Sequence, residues 1–183
     1  MPHAVYYSIE GVRKWECPPD EFYHEPYWPY YRTFADYLAR LSMVFSNGRH
    51  VAPVAVLYPN RTGWATQLGL EPTDPEADAH GQKVEETLLR LSEELLRARL
   101  DFDYLSEDLL QQAELSGGHI VVRGSKGQPL EEFQVLILPE VTVLDRDTVR
   151  AIDDLVNGGG RLYLVGSKPS AYSETGTDGE LER

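Results

Sequence analysis

Residues 51–58 have the sequence Val51-Ala52-Pro53-Val54-Ala55-Val56-Leu57-Tyr58, a continuous apolar run that ends at a proline. Strands that are buried on both faces of a parallel sheet have this composition. Two later runs have the same character, residues 134–139 and residues 161–166. Residues 101–105 provide a further short strand. These four strands form the framework of the predicted fold.

The segments between these strands have the pattern of helices. Residues 84–98 carry one apolar stripe at helical spacing, with charged side chains opposite. Asp145 and Gly158 mark the ends of a second helix, the first as an N-cap and the second as a stop. Strands that alternate with helices form a mostly parallel sheet with right-handed crossovers. The sequence therefore predicts an α/β fold, a three-layer flavodoxin-like (amidotransferase-like) sandwich.

Shorter features add detail to this prediction. Residues 5–9 have the pattern of a short strand, and Ser106 is a capping residue before a helical turn. Residues 124–127, Gly-Ser-Lys-Gly, favour a hairpin turn. Residues 60–79 are polar and rich in proline and aspartate, which is typical of a long loop.

The first part of the chain has another character. An aromatic block, Phe22-Tyr23-His24-Glu25-Pro26-Tyr27-Trp28-Pro29-Tyr30-Tyr31, follows a proline-rich stretch. Pro29 suits the first turn of a helix, and apolar side chains then recur at helical spacing up to Asn47-Gly48. We predict three parts: an aromatic arm with a linking helix over residues 1–48, the sandwich over residues 49–166, and a polar, mobile tail over residues 167–183.

The composition limits the classes of partner. The formal net charge is −13, which argues against nucleic acid and anionic membrane surfaces because both need clusters of Lys and Arg. Cys17 is the only cysteine, so an internal disulfide and a Cys-based metal knuckle are excluded. No stretch has the length and apolarity of a membrane span, and the first residues lack the features of a signal peptide. We therefore expect a cytoplasmic protein.

Two segments could suggest a cofactor. Gly158-Gly159-Gly160 follows a helix and precedes a strand, the reverse of the order in a phosphate loop. Residues 60–65 resemble the phosphate loop of flavodoxins, with Trp64 able to stack on a flavin, but about 15 residues separate them from the helical stripe. The five histidines lack the paired spacing of metal ligands. We therefore expect neither a cofactor nor a metal.

The predicted sandwich lacks a catalytic nucleophile. An amidotransferase needs a cysteine on a sharp turn after a central strand, but the sequence there is Pro139-Glu140-Val141. A Gly-X-Ser-X-Gly motif is also missing from the sequence. Functional chemistry is therefore expected in the aromatic arm.

Rings mixed with carboxylates, as in the arm, are typical of carbohydrate sites. The candidate substrate-binding residues are Glu16, Glu21, His24, Glu25 and Trp28. Glycoside cleavage uses two carboxyl groups, which usually come from different strand ends, so no catalytic residue is assigned. The alternative is a domain interface, in which the rings are anchors and the charges form a rim.

A resemblance to large α-L-rhamnosidase-type glycoside hydrolases covers nearly the whole chain. The end of the barrel in that family is similar to Tyr6-Tyr7-Ser8-Ile9-Glu10-Gly11-Val12-Arg13-Lys14, Cys17-Pro18-Pro19, Pro26-Tyr27-Trp28-Pro29-Tyr30-Tyr31 and residues 34–42. The domain that follows the barrel is similar to residues 48–51 and 54–59, and later to residues 136–139, the helix after them, and residues 157–161. That domain resembles the β-galactosidase trimerisation domain, an amidotransferase-like sandwich without the nucleophile.

The resemblance implies a fragment of such a hydrolase. It would be a non-catalytic structural or accessory portion, inactive alone, whose N-terminal loop contributes to a sugar pocket or a domain interface. The implied partners are a carbohydrate, in the context of the full enzyme, and either the missing barrel domain or a second copy of the chain. Two alternatives stay open: a flavodoxin-like module that binds a flavin or a nucleotide, and a self-associating interaction domain.

Overall fold

The computed structural model describes residues 6–8, 10–11, 20–46, 48–66 and 75–177, with residues 75–78 and 176–177 described by their backbone only. The chain divides into two compact units, residues 1–49 and residues 50–183. The helices, in chain order, are α1 (Tyr31–Ser46), α2 (Asn60–Thr66), α3 (Pro75–Arg97), α4 (Glu107–Gln112) and α5 (Arg146–Asn157). The strands are β1 (Val54–Leu57), β2 (Phe102–Leu105), β3 (Glu114–Ser116), β4 (His119–Arg123), β5 (Pro129–Phe133), β6 (Val135–Pro139), β7 (Val143–Leu144), β8 (Arg161–Val165), β9 (Ala171–Tyr172) and β10 (Gly176–Thr177).

The first unit contains a short 3₁₀ turn, Trp28–Tyr30, which leads directly into α1. Proline occupies the first turn, as the sequence predicts. No residue of α1 is buried, and its apolar side chains include Met43, Val44 and Phe45, each about 70% exposed or more. In the predicted strand over residues 5–9, only residues 6–8 are described, and they are not in a strand.

The second unit is built on a four-stranded parallel sheet in the order β2-β1-β6-β8. The strand order reverses between β1 and β6, because β2 lies on one side of β1 and the later strands lie on the other. In open α/β sheets, the carboxyl ends of the two strands at such a reversal border a crevice.

Helices cover both faces of this sheet. Along β1 the side chains alternate, so that Val54 and Val56 pack with Leu88 of α3 on one face. Leu57 belongs to the larger core on the other face, which includes Leu155 of α5. The predicted α/β class, a mostly parallel sandwich of the flavodoxin-like kind, is confirmed.

A separate antiparallel sheet, β3-β4-β5, packs its apolar side chains into the larger core. The hairpin predicted at residues 124–127 connects β4 to β5, and the backbone N–H of Gly124 donates to the carbonyl of Gln128 at 2.9 Å. The capping role predicted for Ser106 is also confirmed, because its side chain accepts from the N–H of Leu109.

The prediction of a polar loop over residues 60–79 is wrong at both ends. Helix α2 begins at Asn60, directly after the first strand, and α3 already begins at Pro75. Thr62 is the buried residue of α2, and its hydroxyl accepts the backbone N–H groups of Thr142 and Val143, each at 3.0 Å. Polar bonds rather than apolar periodicity therefore hold α2 in place, which is why the hydrophobic pattern does not reveal it.

Part of the segment expected to be a tail is in strands. Tyr172 of β9 is buried, and β9 pairs parallel with β7 while β10 pairs antiparallel with β9. The guanidinium of Arg146 lies 4.0 Å from the centre of the Tyr172 ring, a cation–π contact. In the part of the chain that the structure describes, no helix is both long enough and apolar enough to cross a bilayer.

Candidate functional site

The aromatic arm holds a cavity of about 280 Å³. Its described lining residues are one carboxylate and four rings: Glu21, Tyr27, Tyr30, Tyr31 and Phe34. The rings recur at intervals of three and four residues, which places them on one face of a helical segment. Because the 3₁₀ turn continues into α1 without a break, these residues form such a face.

Ring-to-ring contacts support this face from behind. Trp28 stacks on Tyr31 with ring centres 5.1 Å apart, and Phe22 meets Trp28 edge to face at 4.9 Å. Phe34 meets Tyr31 edge on, with centres 5.8 Å apart. Aromatic pairs of this geometry contribute about 0.5–1.5 kcal/mol beyond the area that they bury. Of the wall rings, Tyr31 and Phe34 are therefore held in position before any ligand arrives.

Asp20 fixes the loop that carries Glu21, and the sequence analysis did not single it out. It is only 3% exposed, and its carboxylate accepts the N–H of Phe22 at 3.1 Å and that of Tyr6 at 3.4 Å, and also bonds Nδ1 of His24. Burial alone would raise the pKa of Asp20, but the bonds from His24 and the backbone amides lower it. The sequence signal was Asp20 after two prolines, since an Asp that bonds the amide two residues on forms an Asx turn.

Glu21 and His24, two of the predicted sugar contacts, differ from each other in their surroundings. Glu21 lines the cavity, and its negative charge acts on the hydroxyl of Tyr27. His24 is bonded to the buried Asp20, and its ring lies against Tyr23 with centres 3.9 Å apart. The structure therefore brings Glu21 into the cavity and gives His24 a role in holding the loop.

The other predicted contacts are Trp28, Glu25 and Glu16. Trp28 lies behind Tyr31 rather than among the described lining residues. Glu25 is half-buried in a turn in which its N–H donates to the carbonyl of Phe22 at 3.0 Å. Glu16 lies outside the described residues. Direct sugar contact by these three residues stays a prediction.

The charges around the cavity affect Tyr27. Burial raises the pKa of its hydroxyl, and the nearby carboxylates of Glu25, Glu21 and Asp20 raise it further. Tyr27 therefore stays protonated, and its hydroxyl donates to the backbone carbonyl of Asp20 at 3.5 Å. Glycoside cleavage needs a second carboxyl group beside the first, and Glu21 is the one carboxylate among the described lining residues.

A second location of interest is the sharp turn after β6. Glu140 occupies this turn, and its backbone φ of 46° is rare for a residue other than glycine. Its carboxylate is buried and accepts the N–H of Ser167 and the ammonium of Lys83, each at 2.9 Å. Burial acts to raise the pKa of Glu140, but these two partners lower it. The elbow thus carries an anchored carboxylate and no thiol or hydroxyl nucleophile.

The segment likened to a flavodoxin loop is helix α2. The prediction that about 15 residues separate this segment from the next helix is therefore wrong, since α2 begins at Asn60 itself. The predicted gap thus does not count against a flavin. Arg61 forms an ion pair with Asp145 at 2.7 Å, and its guanidinium lies 4.9 Å from the centre of the Trp64 ring. Asp145 precedes α5 as predicted, but its carboxylate is engaged by Arg61 and makes no capping bond. Flavin binding stays an untested alternative.

Comparison with solved structures found a distant similarity. No protein-family model matches the chain, and no curated protein matches it. A crystal structure of a β-galactosidase from Bifidobacterium adolescentis is similar.

This similarity to the β-galactosidase has 14% sequence identity and a TM-score of 0.47, and it covers 70% of this chain and 47% of that one. The chain thus spans about half the length of the solved structure. This is a distant structural similarity to a glycoside hydrolase, and its level is too low to carry an argument about function.

The described residues also contain one group of side chains that could hold a metal ion. It consists of His50, Asp103 and Glu131, whose ligand atoms lie within 4.8 Å of one another. The sequence analysis searched for histidines with paired spacing. It missed this group because its members come from three separate segments of the second unit.

Proposed function

We propose that this chain is a non-catalytic accessory portion of a carbohydrate-active glycoside hydrolase of the α-L-rhamnosidase type. Its aromatic arm provides one wall of a sugar pocket, and the missing barrel domain provides the catalytic carboxylates. The observation that supports this proposal is the cavity of the arm, which is lined by four rings and Glu21. Aromatic faces pack on the C–H faces of a sugar, while carboxylate and phenol groups bond its hydroxyls.

The sandwich has a supporting role in this proposal. The elbow after β6 carries Glu140, which is fully engaged by Ser167 and Lys83 and offers no nucleophile. We assign residues 1–48 to the arm and linking helix, residues 49–166 to the sandwich and residues 167–183 to a C-terminal segment. The carbohydrate is then the ligand of the full enzyme, and the barrel is the partner of this chain.

Sugar titration of the full chain tests the binding wall. We expect L-rhamnose or D-galactose to shift the amide NMR signals of Glu21 and Tyr30 at millimolar concentration, with a dissociation constant of the order of 1 mM. Tyr30→Ala removes one ring of the wall and should weaken binding about tenfold. Tyr37→Ala is the matched control, since Tyr37 is an exposed tyrosine of α1 that is not a described lining residue.

Two results would contradict the binding role. One is that no sugar changes these signals, and the other is that Tyr30→Ala and Tyr37→Ala bind equally well. Circular dichroism of both variants shows that they keep the fold. Glucose serves as the comparison sugar, because a general effect of polyols would give the same shifts with all sugars.

A second candidate function is self-association through α1. The supporting observation is the exposed apolar surface of this helix, with Phe45 75% and Met43 71% exposed. Apolar patches of this kind are unusual on monomeric surfaces and drive assembly. Light scattering at high protein concentration should then give the mass of a dimer or larger species, and Phe45→Ser should return it to a monomer. A strict monomer for the unmodified chain would exclude this candidate.

A further inference from the structure

A cluster of ionisable side chains lies at the amino edge of the parallel sheet, at the opposite ends of the strands from Glu140. His50 lies shortly before β1, and Asp101 and Asp103 are at the start of β2. Glu131 is on β5, in the antiparallel sheet. Three distant segments of the chain therefore bring their side chains to one point.

The distances between these groups suit a shared ion. Nδ1 of His50 is 3.1 Å from Oδ2 of Asp103 and 3.7 Å from Oε1 of Glu131. A tetrahedral zinc ion with bonds of roughly 2.1 Å keeps its ligand atoms roughly 3.4 Å apart. Both distances are close to this value, so the side chains need only small rotations to bind one ion.

A fourth residue holds the imidazole ring in place. Nε2 of His50 is 3.2 Å from Oδ2 of Asp101. Histidines that bind metals usually donate their other N–H to a carboxylate in this way, which fixes the tautomer and the ring orientation. With its proton on Nε2, the ring presents the Nδ1 lone pair to Asp103 and Glu131.

One oxygen in the cluster has an unmet bonding need. Oε2 of Glu131 is buried, and no described residue donates a hydrogen bond to it. A buried carboxylate oxygen without a partner calls for a particular explanation, such as a bound ion. In addition, three carboxylates surround a single imidazole, so a dication would offset their mutual repulsion.

We infer that His50, Asp103 and Glu131 form a binding site for a divalent transition-metal ion, with Zn²⁺ as the best fit, and that Asp101 positions the His50 ring. One imidazole and two carboxylates favour zinc and its neighbours over Mg²⁺ and Ca²⁺, which take oxygen ligands. The His50 side chain is 46% exposed and Asp103 38%, so water can complete the coordination. The ion would link the segment before β1 to β2 and β5, which is a structural role.

Isothermal titration of ZnCl₂ into the full, tag-free chain, treated with EDTA and then dialysed, tests this site. We expect one ion per chain. His50→Gln and Glu131→Gln each remove one ligand and should weaken binding by about a hundredfold, while Asp101→Asn should weaken it by about tenfold. Co²⁺ in place of zinc should give the visible absorption bands of a nitrogen- and oxygen-ligated site, and His50→Gln should abolish them.

His119→Gln is the matched control. Nδ1 of His119 contacts Oε1 of Glu132 at 2.7 Å with similar exposure, but the described residues offer this pair no third ligand. The variant should bind zinc as the unmodified chain does. Failure to bind one ion per chain would overturn the inference, and so would equal losses in His50→Gln and His119→Gln. A rise in melting temperature with Mg²⁺ equal to the rise with Zn²⁺ would also overturn the inference, because that result shows general charge screening. Circular dichroism confirms that each variant is folded.

Discussion

The turn after β8 requires glycine at position 166, because of its backbone conformation and because the Glu140 carboxylate lies against it. Gly166 has a φ of +88°, and a Cβ added there would overlap the Glu140 carboxylate. That carboxylate cannot move away without giving up its bonds to Ser167 and Lys83. Gly166→Ala should therefore lower the free energy of unfolding by about 3 kcal/mol, of which about 1 kcal/mol is backbone strain.

Gly127→Ala provides the control for this prediction. Gly127 has a similar φ of +78°, but a Cβ there would meet nothing within 4 Å. Only the backbone strain of about 1 kcal/mol should appear. Urea denaturation of both variants measures the difference, and equal losses would show that the contact with Glu140 contributes nothing.

Glu140 also makes stability depend on pH. Burial opposes ionisation, but Ser167 and Lys83 hold the folded-state pKa of Glu140 below its unfolded value. A lowered folded-state pKa means that the stabilisation is complete above the unfolded pKa, which is about 4.3, and is lost as pH falls through the folded one. Glu140→Gln should therefore be less stable than the unmodified chain at pH 7, and the difference should shrink below about pH 4.

Urea midpoints of the two proteins from pH 7 to pH 3 measure this effect. Glu93→Gln serves as the comparison, because Glu93 is an exposed partner of Arg97 and such pairs contribute little. A constant difference between Glu140→Gln and the unmodified chain at all pH values would contradict the assignment of a charged, anchored Glu140.

At the scale of elements, the apolar pattern predicted the elements that bury apolar side chains. β1 and β6 are continuous apolar runs, and α3 carries one apolar stripe. Each of these patterns indicates one type of secondary structure. α2 has no such pattern, since its buried residue is Thr62. β3 is three residues long and depends on pairing with β4, which local sequence does not encode.

The Thr62 hydroxyl is one of the groups that hold α2 in position, beside the ion pair of Arg61 with Asp145. Oγ1 of Thr62 accepts the N–H groups of Thr142 and Val143 and donates to the carbonyl of Val143 at 3.3 Å. Thr62→Val keeps the shape and leaves two part-buried N–H groups without this acceptor, so we expect a loss of about 2 kcal/mol. Thr66→Val is the control, because the Thr66 hydroxyl donates to carbonyls of α2 itself, among them that of Thr62.

Urea unfolding again gives the free energies of both variants. The control should change by less than about 1 kcal/mol. If Thr62→Val is as stable as the unmodified chain, the two amides find other partners and α2 is held by something else.

At the scale of the whole molecule, the sequence indicated which segment holds the candidate site. It did not indicate which side chains of that segment line the cavity. The aromatic block was predicted to contact a sugar or a domain interface, and the cavity is lined by residues of this block, by Glu21 just before it and by Phe34 in the first turn of α1. The helical spacing that selects Tyr27, Tyr30 and Phe34 depends on a 3₁₀ turn joined to α1, which proline at position 29 only partly signals. Asp20 could not be ranked above its acidic neighbours, because its burial depends on contacts with Tyr6.

The chain on its own is not expected to cleave glycosides. Cleavage of a glycoside needs an acid and a second carboxyl group roughly 5–9 Å away, on opposite sides of the scissile bond. Among the described lining residues of the cavity, Glu21 is the one carboxylate, and Asp20 is bonded to His24 and the backbone. The chain alone should therefore give no turnover of p-nitrophenyl rhamnosides or galactosides above the uncatalysed rate. Turnover that Glu21→Gln abolishes would show that this chain supplies a catalytic carboxylate itself, and the barrel would then not be needed for the chemistry.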